Sequence, residues 1–158
     1  MELPAPDLVV IRRAFAAPPP LVWRAITEPA LVSRWWPAGG HGTMRTCEID
    51  LRVGGRWRYV MDLPEGGEVA FRGEYLELAE AERIVSTEAY EFAGFEDVPE
   101  SYTTNTIMLA ATVDGGTGLE TVVRCTSPEQ RDAIIASGME AGMQRSFDAL
   151  DEVAASLA

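Results

Sequence analysis

Residues 127–155 read SPEQRDAIIASGMEAGMQRSFDALDEVAA, and this stretch decides how the rest of the chain is arranged. Ile135, Met139, Met143, Phe147, Leu150 and Val153, with Leu157 beyond, recur at spacings of three or four, the period of one helical stripe. Ser127, with Gln130 three residues on and Pro128 at the first helical position, forms a capping-box start. The pattern predicts one amphipathic helix from Ser127 to about Ala155. At ~1.5 Å per residue it would run roughly 40 Å, enough to cross a small domain and lie over a sheet.

The preceding sequence supplies that sheet. Leu8 to Phe15 is a β-rich run that Pro18, Pro19 and Pro20 stop. Two short helices follow. Leu21 to Ile26 places Val22, Trp23 and Ile26 on one side, and Thr27 can cap a second helix running through Leu31, Val32, Trp35 and Trp36 to Pro37. From Met44 onward, segments of about ten residues alternate with turn signals, the pattern of an antiparallel meander. Strands are expected near 44–53, 56–63, 68–78, 83–92, 102–113 and 119–126. One strand, two helices, six strands and a long helix give an α+β, helix-grip arrangement in which a seven-stranded curved antiparallel sheet holds the final helix. Residues 7–158 form a single domain behind a flexible tail, 1–6.

The hairpin at Gly54-Gly55 admits two registers. Cys47, Ile49, Leu51 and Val53 alternate with Glu48, Asp50 and Arg52, while Trp57, Tyr59 and Met61 alternate with Arg56, Arg58 and Asp62. A strict two-residue turn puts Trp57 on the face of Arg52 and turns Asp50 and Arg52 into pocket residues. A glycine bulge shifts the parity by one and gathers the apolar residues on one face. The bulge is favoured because it leaves the charged residues as cross-strand pairs in solvent.

The 158 residues suffice for one hydrophobic core. The net charge is -12, and all 13 basic residues are arginines. Without lysine there is neither Schiff-base chemistry nor a P-loop. The acidity, with no basic stripe, argues against nucleic acid as a partner. No apolar run is long enough to span a membrane, and the first residues lack the pattern of a secretion signal, so a cytoplasmic location is expected. Cys47 and Cys125 lack the spacing of a disulfide framework or metal site, and no motif calls for a cofactor.

His41 is the single histidine, in the loop Ala38-Gly39-Gly40-His41-Gly42. It is a weak candidate for a rim acid or base, as is Tyr59 inside. Carboxylates for such work would come from Asp62, Glu74 or Glu48, all of which read as solvent-facing. The stronger constellation is apolar. Trp35, Trp36, Trp57, Tyr59, Phe71, Tyr75, Met108, Met139, Met143 and Phe147 are expected to converge between sheet and helix as the lining of a small-molecule cavity. Gly138 and Gly142 favour a cavity over a filled core, because mid-helix glycine costs about 1 kcal/mol against alanine and implies open space or a close backbone approach.

The run Pro20-Leu21-Val22-Trp23-Arg24-Ala25-Ile26-Thr27-Glu28-Pro29, then Arg34-Trp35-Trp36-Pro37, Asp50-Leu51-Arg52-Val53-Gly54-Gly55-Arg56-Trp57, Phe71-Arg72-Gly73-Glu74-Tyr75 and Gly138-Met139-Glu140-Ala141-Gly142-Met143 together resemble the activator of heat-shock protein 90 ATPase homologue family. That family lies within the SRPBCC, or START and Bet v 1-like, superfamily. The resemblance implies a helix-grip fold around a hydrophobic cavity. It implies, as alternatives, binding of a small hydrophobic or aromatic molecule, a cyclase or dehydratase acting on a hydrophobic substrate in the same cavity, or a chaperone-associated interaction domain. No catalytic motif transfers with it, and a homodimer is compatible with the fold.

Overall fold

β1 (Leu8–Phe15) opens the chain's sheet at one edge, and β2 (Thr43–Ile49), next in sequence among the strands, lies at the opposite edge. Between them α1 (Pro19–Thr27) and α2 (Pro29–Trp35) carry the chain across the concave face. β3 (Arg56–Asp62), β4 (Glu68–Ala79), β5 (Arg83–Glu91), β6 (Thr103–Ala111) and β7 (Thr117–Arg124) then return as a meander, giving the order β1-β7-β6-β5-β4-β3-β2. Every neighbouring pair is antiparallel. These relations come from a computed structural model that describes every residue except His41 and Ala93. No helix among the described residues is long and apolar enough to cross a membrane.

The C-terminal stretch is two helices. α3 (Pro128–Ala136) starts as expected, with Ser127 Oγ accepting from Gln130 N at 3.0 Å, but it ends before α4 (Met139–Ala155) begins. Gly138 lies between them at φ +83°, a left-handed conformation that interrupts the helix. The apolar spacing continues across this interruption, so periodicity does not reveal it. α4 buries Phe147, Leu150, Val153 and Ala154 against the core. Each larger side chain contributes roughly 1.5–3 kcal/mol of burial. α3 buries none of its residues fully.

Two other expectations are revised. Residues 1–6, expected as a tail, lie along β1: Glu2 N donates to Val10 O at 2.8 Å, Val10 N donates back to Glu2 O at 2.9 Å, and Arg131 Nη1 donates to Ala5 O at 2.9 Å. The β2–β3 connection is longer than a two-residue hairpin, because β2 stops at Ile49 and residues 50–55 form the link. Ile49 pairs with Trp57 and Cys47 with Tyr59, so the apolar residues share the concave face, the outcome expected from the bulge. Asp50 and Arg52 are exposed and ion-paired at 2.9 Å, while Leu51 and Val53 are also exposed. An irregularity does occur one strand later. Between Tyr75 and Glu77 the β4–β5 register shifts, so that Tyr75 and Leu78 both turn inward while Leu76 is exposed.

Candidate ligand-binding site

The grip is tight at one end of the sheet and loose at the other. At the tight end the rings of Phe15 and Phe147 meet edge-on at 5.8 Å, and Leu150 is fully buried. α3 leaves β7 at the other end. Its start is tied there by Thr126 Oγ1 and Gln130 Nε2, which donate to Glu100 O at 2.9 and 3.1 Å, just ahead of β6. At this end Ile135, Met139 and Met143 pack toward the core yet remain only half-buried. Facing residues of the sheet, Phe71, Glu88, Asn105 and Ile107, are half-buried too. The concave surface is therefore incompletely covered where α3 joins α4.

Glu88 is the polar feature of this region. On β5 it lies an even number of residues from Ile84, a core residue, and from Tyr90, which stacks on Phe71 at 4.8 Å, so it shares their concave face. Asn105 Nδ2 donates to Glu88 Oε2 at 2.9 Å, and Asn105 Oδ1 in turn accepts from Thr103 Oγ1 at 3.0 Å. Enclosure by protein raises the Glu88 carboxyl to about 7, with the Asn105 hydrogen bond acting in the opposite direction. Glu88 nonetheless keeps some accessible surface. Sequence reasoning missed Glu88 because both alternations along β5 are mixed: Ile84, Ser86, Glu88 and Tyr90 on one face, Val85, Thr87, Ala89 and Glu91 on the other. The carboxylates considered instead lie outside. Glu48 and Glu74 are exposed, and Asp62 pairs with Arg45.

A chain of aromatic rings lines the same region. Trp57 and Tyr59 lie at 4.7 Å, Tyr59 and Trp36 at 5.0 Å, and Trp36 and Phe71 at 5.4 Å. Tyr90 and Phe92 extend it to the surface at 5.3 Å. The indole N–H groups of Trp36 and Trp57 are buried without an acceptor among the described residues. Burial, reinforced by Tyr75, Cys47 and Glu88, pushes the Tyr59 hydroxyl well above its ordinary value, which keeps it protonated near neutral pH and unsuited to act as a base.

Of the other expected lining residues, Trp35 is a core anchor whose Nε1 donates to Ala25 O at 2.8 Å, and Tyr75 and Phe147 are buried. Met108 is not part of the lining. It alternates with the inward Ile107 and Leu109 and pairs with Arg83 and Glu120, which puts it on the outer face beside Arg12. His41 lies outside the described residues.

The glycines play a different part from the one expected. A Cβ on Gly142 would sit 3.1 Å from Gly39 O, and one on Gly39 would sit 2.8 Å from Ser146 Oγ and 3.0 Å from Gly142 O. These two residues bring the 3-10 turn Trp36–Gly39 against α4, where Ser146 Oγ donates to Trp36 O at 3.1 Å and Arg145 Nη2 to Gly39 O at 3.0 Å. Gly142 thus marks a close backbone approach, and Gly138 a helix break; neither holds a cavity open.

Solved structures share this architecture. A protein of Rhodobacter sphaeroides is 32% identical, with a TM-score of 0.85 over 98% of this chain and 95% of that one. Proteins of Nitrosomonas europaea and Chromobacterium violaceum are 28% and 29% identical, with TM-scores of 0.80 and 0.76. Their matches cover 96% and 93% of this chain and 96% of each of theirs. None of the curated proteins gives a significant match. The family model described as Activator of Hsp90 ATPase homolog 1-like protein matches residues 16–155, and the chain belongs to that family.

Proposed function

We propose that this protein binds a small hydrophobic, aromatic molecule between the sheet and the junction of α3 and α4. The observation that carries this is the uneven grip. On a single helix Phe147 and Leu150 are packed closed, whereas Met143 and Met139, one and two turns earlier, keep open surface, as do Phe71, Glu88 and Asn105 on the concave face of the sheet. Methionine gives such a wall adaptable shape. Two indole N–H donors left without acceptors fit a region that a ligand completes.

Thermal unfolding with a panel of two- and three-ring aromatic compounds tests the proposal. A true ligand at a hundredfold excess over Kd stabilises the fold by about 2.7 kcal/mol and raises Tm accordingly. Met143→Trp fills the recess and removes that rise. Absence of any shift in the wild type, or a shift undiminished in Met143→Trp, overturns the proposal.

A further inference from the structure

An aromatic row crosses three strands of the concave face. Tyr59 pairs with Phe71 in the β3–β4 ladder and Phe71 with Tyr90 in the β4–β5 ladder, where the two rings stack with 23° between their planes. Trp36 meets two members of the row, Tyr59 at 5.0 Å and Phe71 at 5.4 Å. Glu88 stands two residues before Tyr90 on the same face of β5, roughly 7 Å along the strand. Its charge reaches Tyr59 as well, adding to the upward push that burial gives that hydroxyl. A carboxyl group thus stands beside an aromatic cluster.

The charges around Glu88 differ from those on the outer face of the same strands. There Arg58 and Arg72 each pair with Glu91 at 3.0 Å, and Arg72 also pairs with Asp97 at 2.9 Å. On the concave face Glu88 Oε2 accepts from Asn105 Nδ2, while no described residue donates to Oε1 and no described cation pairs with the carboxyl. Arg13 on β1, over the ring of Phe15, is engaged by Gln144 and Asp148 at the closed end. Tyr59 on β3, Tyr75 on β4 and Cys47 on β2 are all pushed upward, first by burial, so near neutral pH they add no charge of either sign. β6 contributes the uncharged Thr103 and Asn105, and α3 and α4 contribute Ile135, Met139 and Met143.

An enclosed carboxylate without a cation is costly to ionise, and a positive group brought by a ligand offsets that cost. An ammonium suits both neighbours. It donates three hydrogen bonds and accepts none, as a carboxylate requires, and it is attracted to the faces of aromatic rings within about 6 Å. The net charge of -12 draws cations toward the molecule before contact. We propose that the bound aromatic molecule carries a protonated amine, which donates to Glu88 Oε1 while its rings lie against Trp36, Phe71 and Tyr90. This rests on the binding proposed above and adds the charge of the bound molecule. The same carboxylate repels an aromatic acid.

Calorimetric titration at pH about 8, above the titration of Glu88 near 7, tests this with naphthalenes of similar size and different charge. 2-(Aminomethyl)naphthalene is a cation at that pH, 2-methoxynaphthalene is neutral and 2-naphthoate is an anion. The ammonium compound is expected to bind more tightly than the ether, and at least about tenfold more tightly than the naphthoate. Glu88→Gln is expected to weaken the ammonium compound at least about tenfold while leaving the ether within about twofold. An ammonium compound that binds no better than the ether, that a naphthoate matches, or that Glu88→Gln weakens no more than the ether, overturns the amine assignment while leaving hydrophobic binding intact. Failure of all these compounds to bind overturns the binding proposal itself and the amine assignment with it.

Discussion

Gly138, at φ +83°, and Gly39, wedged against α4, carry opposite meanings for substitution despite their common lack of a side chain. An exposed mid-helix glycine replaced by alanine gains about 1 kcal/mol. At Gly138 the sign reverses, because an L-residue in the left-handed region costs about 1–2 kcal/mol, even though nothing lies within 4 Å of the added methyl group. Gly39→Ala is costly for a steric reason, since its methyl would meet Ser146 Oγ and the Gly142 carbonyl, and a loss of about 1–3 kcal/mol is expected. Urea unfolding of the two variants checks both. A stabilised Gly138→Ala would mean that α3 and α4 form one continuous helix after all.

At the scale of elements, β1 spans Leu8–Phe15 just as its sequence pattern indicates, and the meander that follows was legible from its turn residues. Three features were not. The Ser137-Gly138 break leaves Ile135 and Met139 four apart, so the stripe gives no sign of it. The register shift beside Leu76 changes which alternation points inward partway along β4. On β6, Ile107 and Leu109 point inward and Met108 outward, although all three are apolar and hydropathy alone cannot choose the face. Glu88 escaped notice for the related reason that its strand is mixed on both sides. For the break the deciding information is the backbone conformation of Gly138 itself, and for the strand features it is a pairing partner distant in sequence. One consequence of the break is measurable. α3 buries no residue fully whereas α4 buries five, so backbone amides of α3 should exchange with deuterium earlier than those in the second half of α4. Equal protection along both helices would refute this.

For the whole molecule, the charge of -12 is distributed over a surface where arginine–carboxylate pairs such as Arg24–Glu28 and Arg83–Glu77 are exposed and individually worth little. The interior carboxyl at Glu88 is the more consequential titration. Burial raises it from 4.5 to about 7, so the folded state holds this proton more tightly than the unfolded state does. Its contribution to stability is fully present below about pH 4.5 and is lost as pH rises through 7. Glu88→Gln has no such proton to lose. Its stability relative to wild type should therefore increase between pH 5 and 8, by a difference on the order of 3 kcal/mol. Urea unfolding of both proteins across this range measures it, and a pH-independent difference would show that Glu88 titrates like a surface carboxyl.

The uneven grip also separates two jobs that a single helix could have fused. Phe15, Phe147 and Leu150 hold α4 to the sheet at one end, while Met139, Met143, Phe71 and Asn105 stay half-buried at the other. Inheritance can thus act on the two ends independently. Substitutions around the open end come at small expense to folding, whereas those at the closed end are held fixed by it. A scaffold divided in this way can vary its open end within one lineage while keeping its architecture.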